Sequence, residues 1–343
     1  MTTDVATATS IDAQRRQAEV LADRVARRSA VVDRTGVLLP FAVILILAVI
    51  LVPHFLSGAN IRSVLVNASI VAIVGYGMTL VIAIRGLDLS VGAVAALSSV
   101  VTAGTINSSG APLGVVAGLL IGLVAGMVNG LLVAVLRIPA FVATLATLGV
   151  AQGAALLYSR GNRITISSTG FRKLATGSVL GVPGPFVLAV LLCAATFVLL
   201  QRTGFGRHAC AVGGNPAAAR EAGLNERRLT IVVFGLSGLA GGMAGVLITS
   251  QLGSVDATPI QGLALQAIAI AVLGGTSLAG GSGNLPGTLF GALLLAMISA
   301  SLNLRNISGY YQYLALGLLL LLALGLDTLR QTVRTRLMAG GAA

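Results

Sequence analysis

Charge is scarce in this chain of 343 residues: 9% are Asp, Glu, Lys or Arg while 56% are apolar, against roughly 25% charged in an ordinary soluble domain. That imbalance excludes a water-soluble globule. Two cysteines at unrelated spacing, Cys193 and Cys210, give neither a disulfide framework nor a CxxC site. Enzymatic constellations are also missing. His54 and His208 are isolated, there is no HExxH, and the one lysine, Lys173, follows Arg172 rather than Gly, so no GxxxxGK[ST] phosphate loop exists. The sequence offers no catalytic residues, no metal-ligand set and no cofactor site. ATP and Mg, if used, belong to a partner chain.

What charge there is falls in clusters. Residues 1–34 hold eleven of the 32 charged side chains, 202–228 seven, 159–173 four and 327–343 four. The net charge of +12 would suggest nucleic acid in a soluble protein, but this placement makes it a topological signal instead, with no nucleic-acid partner. The polar N-terminal stretch lacks an early apolar core and does not read as a cleaved signal peptide.

Runs of spanning length lie near 36–56, 63–84, 89–106, 112–136, 139–158, 184–201, 229–251, 260–279, 284–304 and 309–327, which predicts an all-α, polytopic membrane bundle of about ten helices. The closely spaced pairs around Gly86 and Gly280 leave room for a half-helix or re-entrant segment, so that eight to eleven spans are possible. With the N-terminus inside, sixteen Lys and Arg fall on the cytoplasmic side and six outside, which places both termini in the cytoplasm. The domains are then a tail at 1–35, a transmembrane unit at 36–328 and a tail at 329–343. The loop at 202–228 is cytoplasmic and that at 159–183 external. Gly114, Gly118, Gly122, Gly126 and Gly130 recur every fourth residue, predicting a small face for close helix contact in lipid, and Gly238, Gly242 with Gly241, Gly245 repeat the device. AIRGLDLSVGAVAAL at 83–97 weakly echoes the segment at 271–295, as if two halves shared a helix, a glycine turn and a second helix.

No charge is expected at mid-span; Asp88, at a helix start, reads either as a cap for that helix or as a transport residue. The other pathway candidates are neutral: Asn67, Ser90, Asn129, Thr144, Thr147, Gln266 and Asn303. They could contact an uncharged, hydroxyl-rich solute or simply join helices. In the cytoplasmic loop, Asn215 fits an N-cap, Pro216 the first helical position and Gly223 the left-handed C-terminal position of a short helix running through Ala217, Ala218, Arg220 and Glu221. Too short to stand alone in water, that helix needs the bundle or a partner to hold it.

GLDLSVGAVAALS (86–98), GMVNG (126–130), IPAFVATLATL (138–148), RGNRIT (160–165), TGFGRHACAVGGNPAAAREAGL (203–224), LGGTSLAGGSG (273–283) and GTLFGALLL (287–295) resemble, in order over about residues 38–329, the permease subunits of bacterial ABC importers of the ribose, xylose, arabinose and galactose type. The resemblance implies a dimer with a second permease copy or paralogue in the inner membrane. It also implies two cytoplasmic ABC ATPase subunits that bind the ATP and Mg, and an extracytoplasmic sugar-binding protein. The stretch Gly214–Gly223 would be the coupling helix that docks on the ATPase. Arg207, Arg220, Arg227 and Arg228 would either complement that contact or act as positive-inside anchors. The chain departs from the family where ALQAIAIAVLGGT places Ala264 and Gln266 at two usually acidic positions. The expected function is inward passage of a monosaccharide, polyol or nucleoside by alternating access. The rivals are an ion- or proton-coupled carrier without an ATPase and a passive channel.

Overall fold

The computed structural model describes residues 38–257 and 262–321, with 325 and 328. The two predicted tails, the start of the eighth apolar run and most of 322–327 lie outside the described residues. Each of the ten runs carries one helix: α1 (Leu38–Leu51), α2 (Gly58–Ala83), α3 (Val91–Ser109), α4 (Ala111–Ala134), α5 (Ala140–Ser159), α7 (Gly184–Arg202), α10 (Glu226–Leu252), α11 (Leu263–Leu273), α12 (Leu285–Leu304) and α13 (Gly309–Leu321). Seven of them, α2 to α5, α7, α10 and α12, are long and apolar enough to cross a membrane. Among the described residues α1, α11 and α13 are shorter, so about ten helices are present but ten full spans are not established. At 1.5 Å per residue α11 rises about 16 Å, half of a hydrocarbon layer. The eighth run is a half-helix followed by a glycine-rich turn.

Four features were not foreseen. The loop at 159–183 contains α6 (Thr169–Thr176), opened by Ser168, whose hydroxyl accepts the Phe171 N–H. It also contains the strand β1 (Ile164–Thr165), paired antiparallel with β4 (Ser254–Val255) so that Ile164 faces Val255. A hairpin of β2 (Ser178–Val179) and β3 (Val182–Pro183) closes over Leu180 and Gly181. The loop at 202–228 holds not one helix but two, α8 (Gly204–Gly214) and α9 (Pro216–Glu221).

At the hairpin tip both Leu180 (φ 51°) and Gly181 (φ 83°) are left-handed, and Leu180 is fully exposed. Two such residues are what a two-residue primed turn requires, and Asn-Gly satisfies it with less strain than Leu-Gly. Leu180→Asn is expected to stabilise the loop by about 1 kcal/mol, read as slower proteolysis of the 159–183 segment.

Helices α2, α3 and α10 form the interior, whereas α4, α5 and α7 are mostly exposed. What the outer helices expose is apolar: Val150 is 72% and Leu157 81% accessible, with Leu120, Val124 and Leu191 also bare. Such a continuous surface is untenable in water and natural against lipid tails. Because lipid gives no hydrophobic drive between helices, contact depends on close packing. The predicted glycine faces supply it. A Cβ on Gly122 would lie 2.7 Å from the Gly242 Cα, and one on Gly238 2.6 Å from the Gly126 Cα. The backbones of α4 and α10 thus touch, and the Ser98 hydroxyl of α3 donates to the carbonyls of both Gly118 and Gly242 at 3.0 Å. Three helices are joined along one seam.

Candidate functional site

The loop at 202–228 is built as its residues predict. The Asn215 side chain accepts the Ala218 N–H at 3.1 Å, and Pro216 opens α9. Gly223, at φ 76°, ends it in the left-handed conformation. Its N–H donates to the Arg220 carbonyl at 2.9 Å and the Leu224 N–H to the Ala219 carbonyl at 3.1 Å, the paired bonds of a Schellman stop. One side of this single turn and a half is buried through Ala219, while Ala217, Ala218, Arg220 and Glu221 stay exposed. An Arg220–Glu226 pair at 3.3 Å ties α9 to the start of α10; its exposure makes it worth little.

Holding α9 is the task of α8, which sequence reading missed because four glycines in eleven residues weaken helix propensity. The signal was Thr203, whose hydroxyl accepts the Gly206 N–H as an N-cap. The end of α8 is wedged into the bundle. Gly213 packs so closely on the Ala83 carbonyl and the Gly281 amide that a Cβ has no room. The Gly281 N–H donates to that same Ala83 carbonyl at 2.9 Å. Arg85, also overlooked, closes the junction: its Nε–H donates to Ala279 at 2.6 Å and its Nη2–H to Gly214 at 2.9 Å. The end of α2, the end of α8 and the turn after α11 are therefore one clasp.

The second constellation lies deeper. Asp88 Oδ1 accepts the Ser90 N–H at 3.0 Å and the Ser90 hydroxyl at 2.6 Å, and Oδ2 accepts the Ser237 hydroxyl at 2.8 Å. The Asn129 amide donates to the Ser90 Oγ at 2.9 Å, and the Thr147 hydroxyl to the Asn129 Oδ1 at 2.5 Å. Thr144 donates to the Leu87 and Ala140 carbonyls. Asp88 and Asn129 are completely buried. Ser237 stands three turns into α10, about 16 Å from its start. Asp88 lies just before α3, as expected, and the α2–α3 loop buries it completely within the bundle. The N-cap of α3 is Ser90, not Asp88, and Ser90 makes no side-chain cap bond. The carboxylate instead fastens that cap to α10.

Five of the eight pathway candidates, Asp88, Ser90, Asn129, Thr144 and Thr147, meet in this one network, and their polar atoms are spent on each other and on nearby carbonyls. The remaining three stand apart. Asn67 is exposed and accepts from Gln251 at 3.2 Å, Asn303 accepts from Gln312 at 2.7 Å, and Gln266 is half-buried on α11. Ser237 was missed because its partner lies 149 residues away in sequence, and no local pattern announces such a pairing.

Comparison with known proteins agrees with this architecture. The family model described as branched-chain amino acid transport system / permease component matches residues 60–324. The chain is 41% identical over 300 residues to the ribose import permease protein RbsC of Bacillus subtilis, covering 87% of this chain and 93% of the relative. It is 38% identical over 300 residues to RbsC of Escherichia coli K12, covering 84% and 92%. It is 36% identical over 304 residues to the L-arabinose ABC transporter permease protein AraH of Azospirillum brasilense, covering 88% and 90%. No solved structure matches. A family match across most of the chain, on a polytopic apolar bundle, makes this protein a member of the branched-chain amino acid transport system / permease component family.

Proposed function

We propose that this chain is the permease subunit of a bacterial inner-membrane ABC importer. It carries a monosaccharide or related neutral polyol or nucleoside inward and catalyses no covalent reaction itself. The observation that carries the reading is the 41% identity to a ribose import permease over 87% of the chain, which includes both the α8–α9 loop and the Asp88 network. The partners are two cytoplasmic ABC ATPase subunits, which hold ATP and Mg, a second permease copy or paralogue, and an extracytoplasmic sugar-binding protein. Both termini and the α8–α9 loop then lie in the cytoplasm, supported by the count of Lys and Arg, which gives that side sixteen of the 22 if the chain crosses ten times.

In this reading α9 is the contact with the ATPase, through its exposed face at Ala217, Ala218 and Glu221. A push on α9 passes into α10, which follows within a few residues, and into the clasp at Gly213 and Arg85. The glycine seam makes α4 follow α10, and the Asp88 carboxylate makes α3 follow it. Closure of the ATPase pair thereby turns a rigid group of helices rather than bending one, as alternating access requires. The Asp88 network acts as a fastener in this conformation, with the solute path at the dimer centre.

Coupling is tested with Ala218→Trp, which fills the exposed face without touching the bundle. The expected result is an assembled complex with at least tenfold less sugar-stimulated ATP hydrolysis, on the order of 1.4 kcal/mol of lost coupling. Unchanged stimulation contradicts the lever.

A further inference from the structure

Between the end of α4 and the start of α10 lies a groove of about 910 Å³. Arg137, Arg220 and Arg227 line it, and the one acidic residue on its wall, Glu226, is paired with Arg220. Arg137 and Arg227 make no ion pair among the described residues. Arg137 holds a left-handed backbone at φ 57°, a position glycine or asparagine would occupy with less strain, so a cationic side chain is kept there at a conformational cost. The apolar part of the wall is Val133, Ala134 and Leu224.

The groove continues the apolar outer surface of α4. On α4 the exposed side chains Leu120, Val124, Val128 and Leu131 form one stripe, which descends to Val133 and Ala134 at the groove's rim. Acyl chains on that stripe bring their headgroup to the arginines. Guanidinium groups donate bidentately to phosphate oxygens.

We propose that this groove is a binding site for the phosphodiester headgroup of an anionic phospholipid of the cytoplasmic leaflet. The lipid's chains lie along α4 and its phosphate meets Arg137 and Arg227. The proposal rests on the cytoplasmic placement of the α8–α9 loop argued above. It puts the charge of the leaflet in contact with the base of α9, beside the lever.

The test uses the purified full-length chain in vesicles of phosphatidylcholine alone and of phosphatidylcholine with phosphatidylglycerol, reading retained lipid after detergent extraction. Phosphatidylglycerol is expected to be enriched on the native chain. The Arg137→Gln/Arg227→Gln double variant should lower its affinity about 25-fold, about fivefold per arginine. Arg137→Lys/Arg227→Lys, which keeps the charge and guards against misfolding, should retain most of the enrichment. Arg160→Gln/Arg163→Gln, at the other end of the bundle, should leave it unchanged. Equal retention by native and double-Gln chains overturns the proposal. So does displacement by glycerol phosphate as effective as by the lipid, which would make the ligand a free anion. If the double-Gln chain keeps its lipid but loses the ATPase, the surface belongs to that partner and the proposal also fails. Since lipid is read without any ATPase present, failure here is separable from failure of the importer reading, which appears as absent ATPase association with native chain.

Discussion

Replacing Asp88 by alanine should destabilise the protein by about 3–5 kcal/mol, because the Ser90 amide and the Ser90 and Ser237 hydroxyls lose their acceptor in a fully buried site. A loss of that size is a large part of a typical folding free energy. Asparagine is the informative comparison. It keeps an oxygen for Ser90 and presents an amide to Ser237, whose hydroxyl can turn to accept, so Asp88→Asn should cost less than about 2 kcal/mol. The buried free thiol of Cys193 supplies the readout, since a thiol-reactive dye labels it only as the detergent-solubilised chain unfolds with heat. Equal losses for alanine and asparagine would mean that acceptor geometry is not what holds α3 to α10.

The second large effect is expected at the helix seam. A side chain on Gly126 would run into the Phe234 carbonyl and lie 2.9 Å from the Gly238 Cα, and backbone has nowhere to retreat in a packed interior. Gly126→Ala should cost about 3 kcal/mol, at the upper end of overpacking penalties, and Gly126→Leu should abolish accumulation of folded chain. On α5, by contrast, Gly149 and Gly153 have nothing within 4 Å of an added Cβ. Alanine there should be neutral or stabilising by up to about 1 kcal/mol through helix propensity. Yield of monodisperse protein, compared across the four single variants, separates a contact seam from a general sensitivity of glycine positions.

These two sites differ in how far they could be read in advance. The glycine seam was legible because a four-residue period names a single helix face whatever that face meets. Helix α9 was legible too, since its cap, its first proline and its terminal glycine are local signals. The Asp88 network was only half legible. Asp88, Ser90, Asn129, Thr144 and Thr147 could be singled out as polar groups in apolar surroundings, but their convergence depends on how four helices stack. The full burial of Asp88 within the bundle was not legible, because a hydropathy pattern shows only where a helix begins. At α11 the run at 260–279 is apolar enough to span, yet the turn residues from Gly274 onward end the helix after 11 residues, the half-helix that the close pair around Gly280 left open. Arg85 gave no cue at all, as its partners are backbone carbonyls of distant segments.

Every step from ATP to solute in this account passes through the exposed face of α9. Its most direct test is ribose accumulation in proteoliposomes that hold the chain with an ABC ATPase and a ribose-binding protein. The account predicts uphill uptake that requires ATP on the side of the α8–α9 loop, survives an uncoupler, and disappears in Ala218→Trp while the complex stays assembled. Uptake by the chain alone that an uncoupler dissipates, or ATP-driven uptake undiminished by Ala218→Trp, would contradict it.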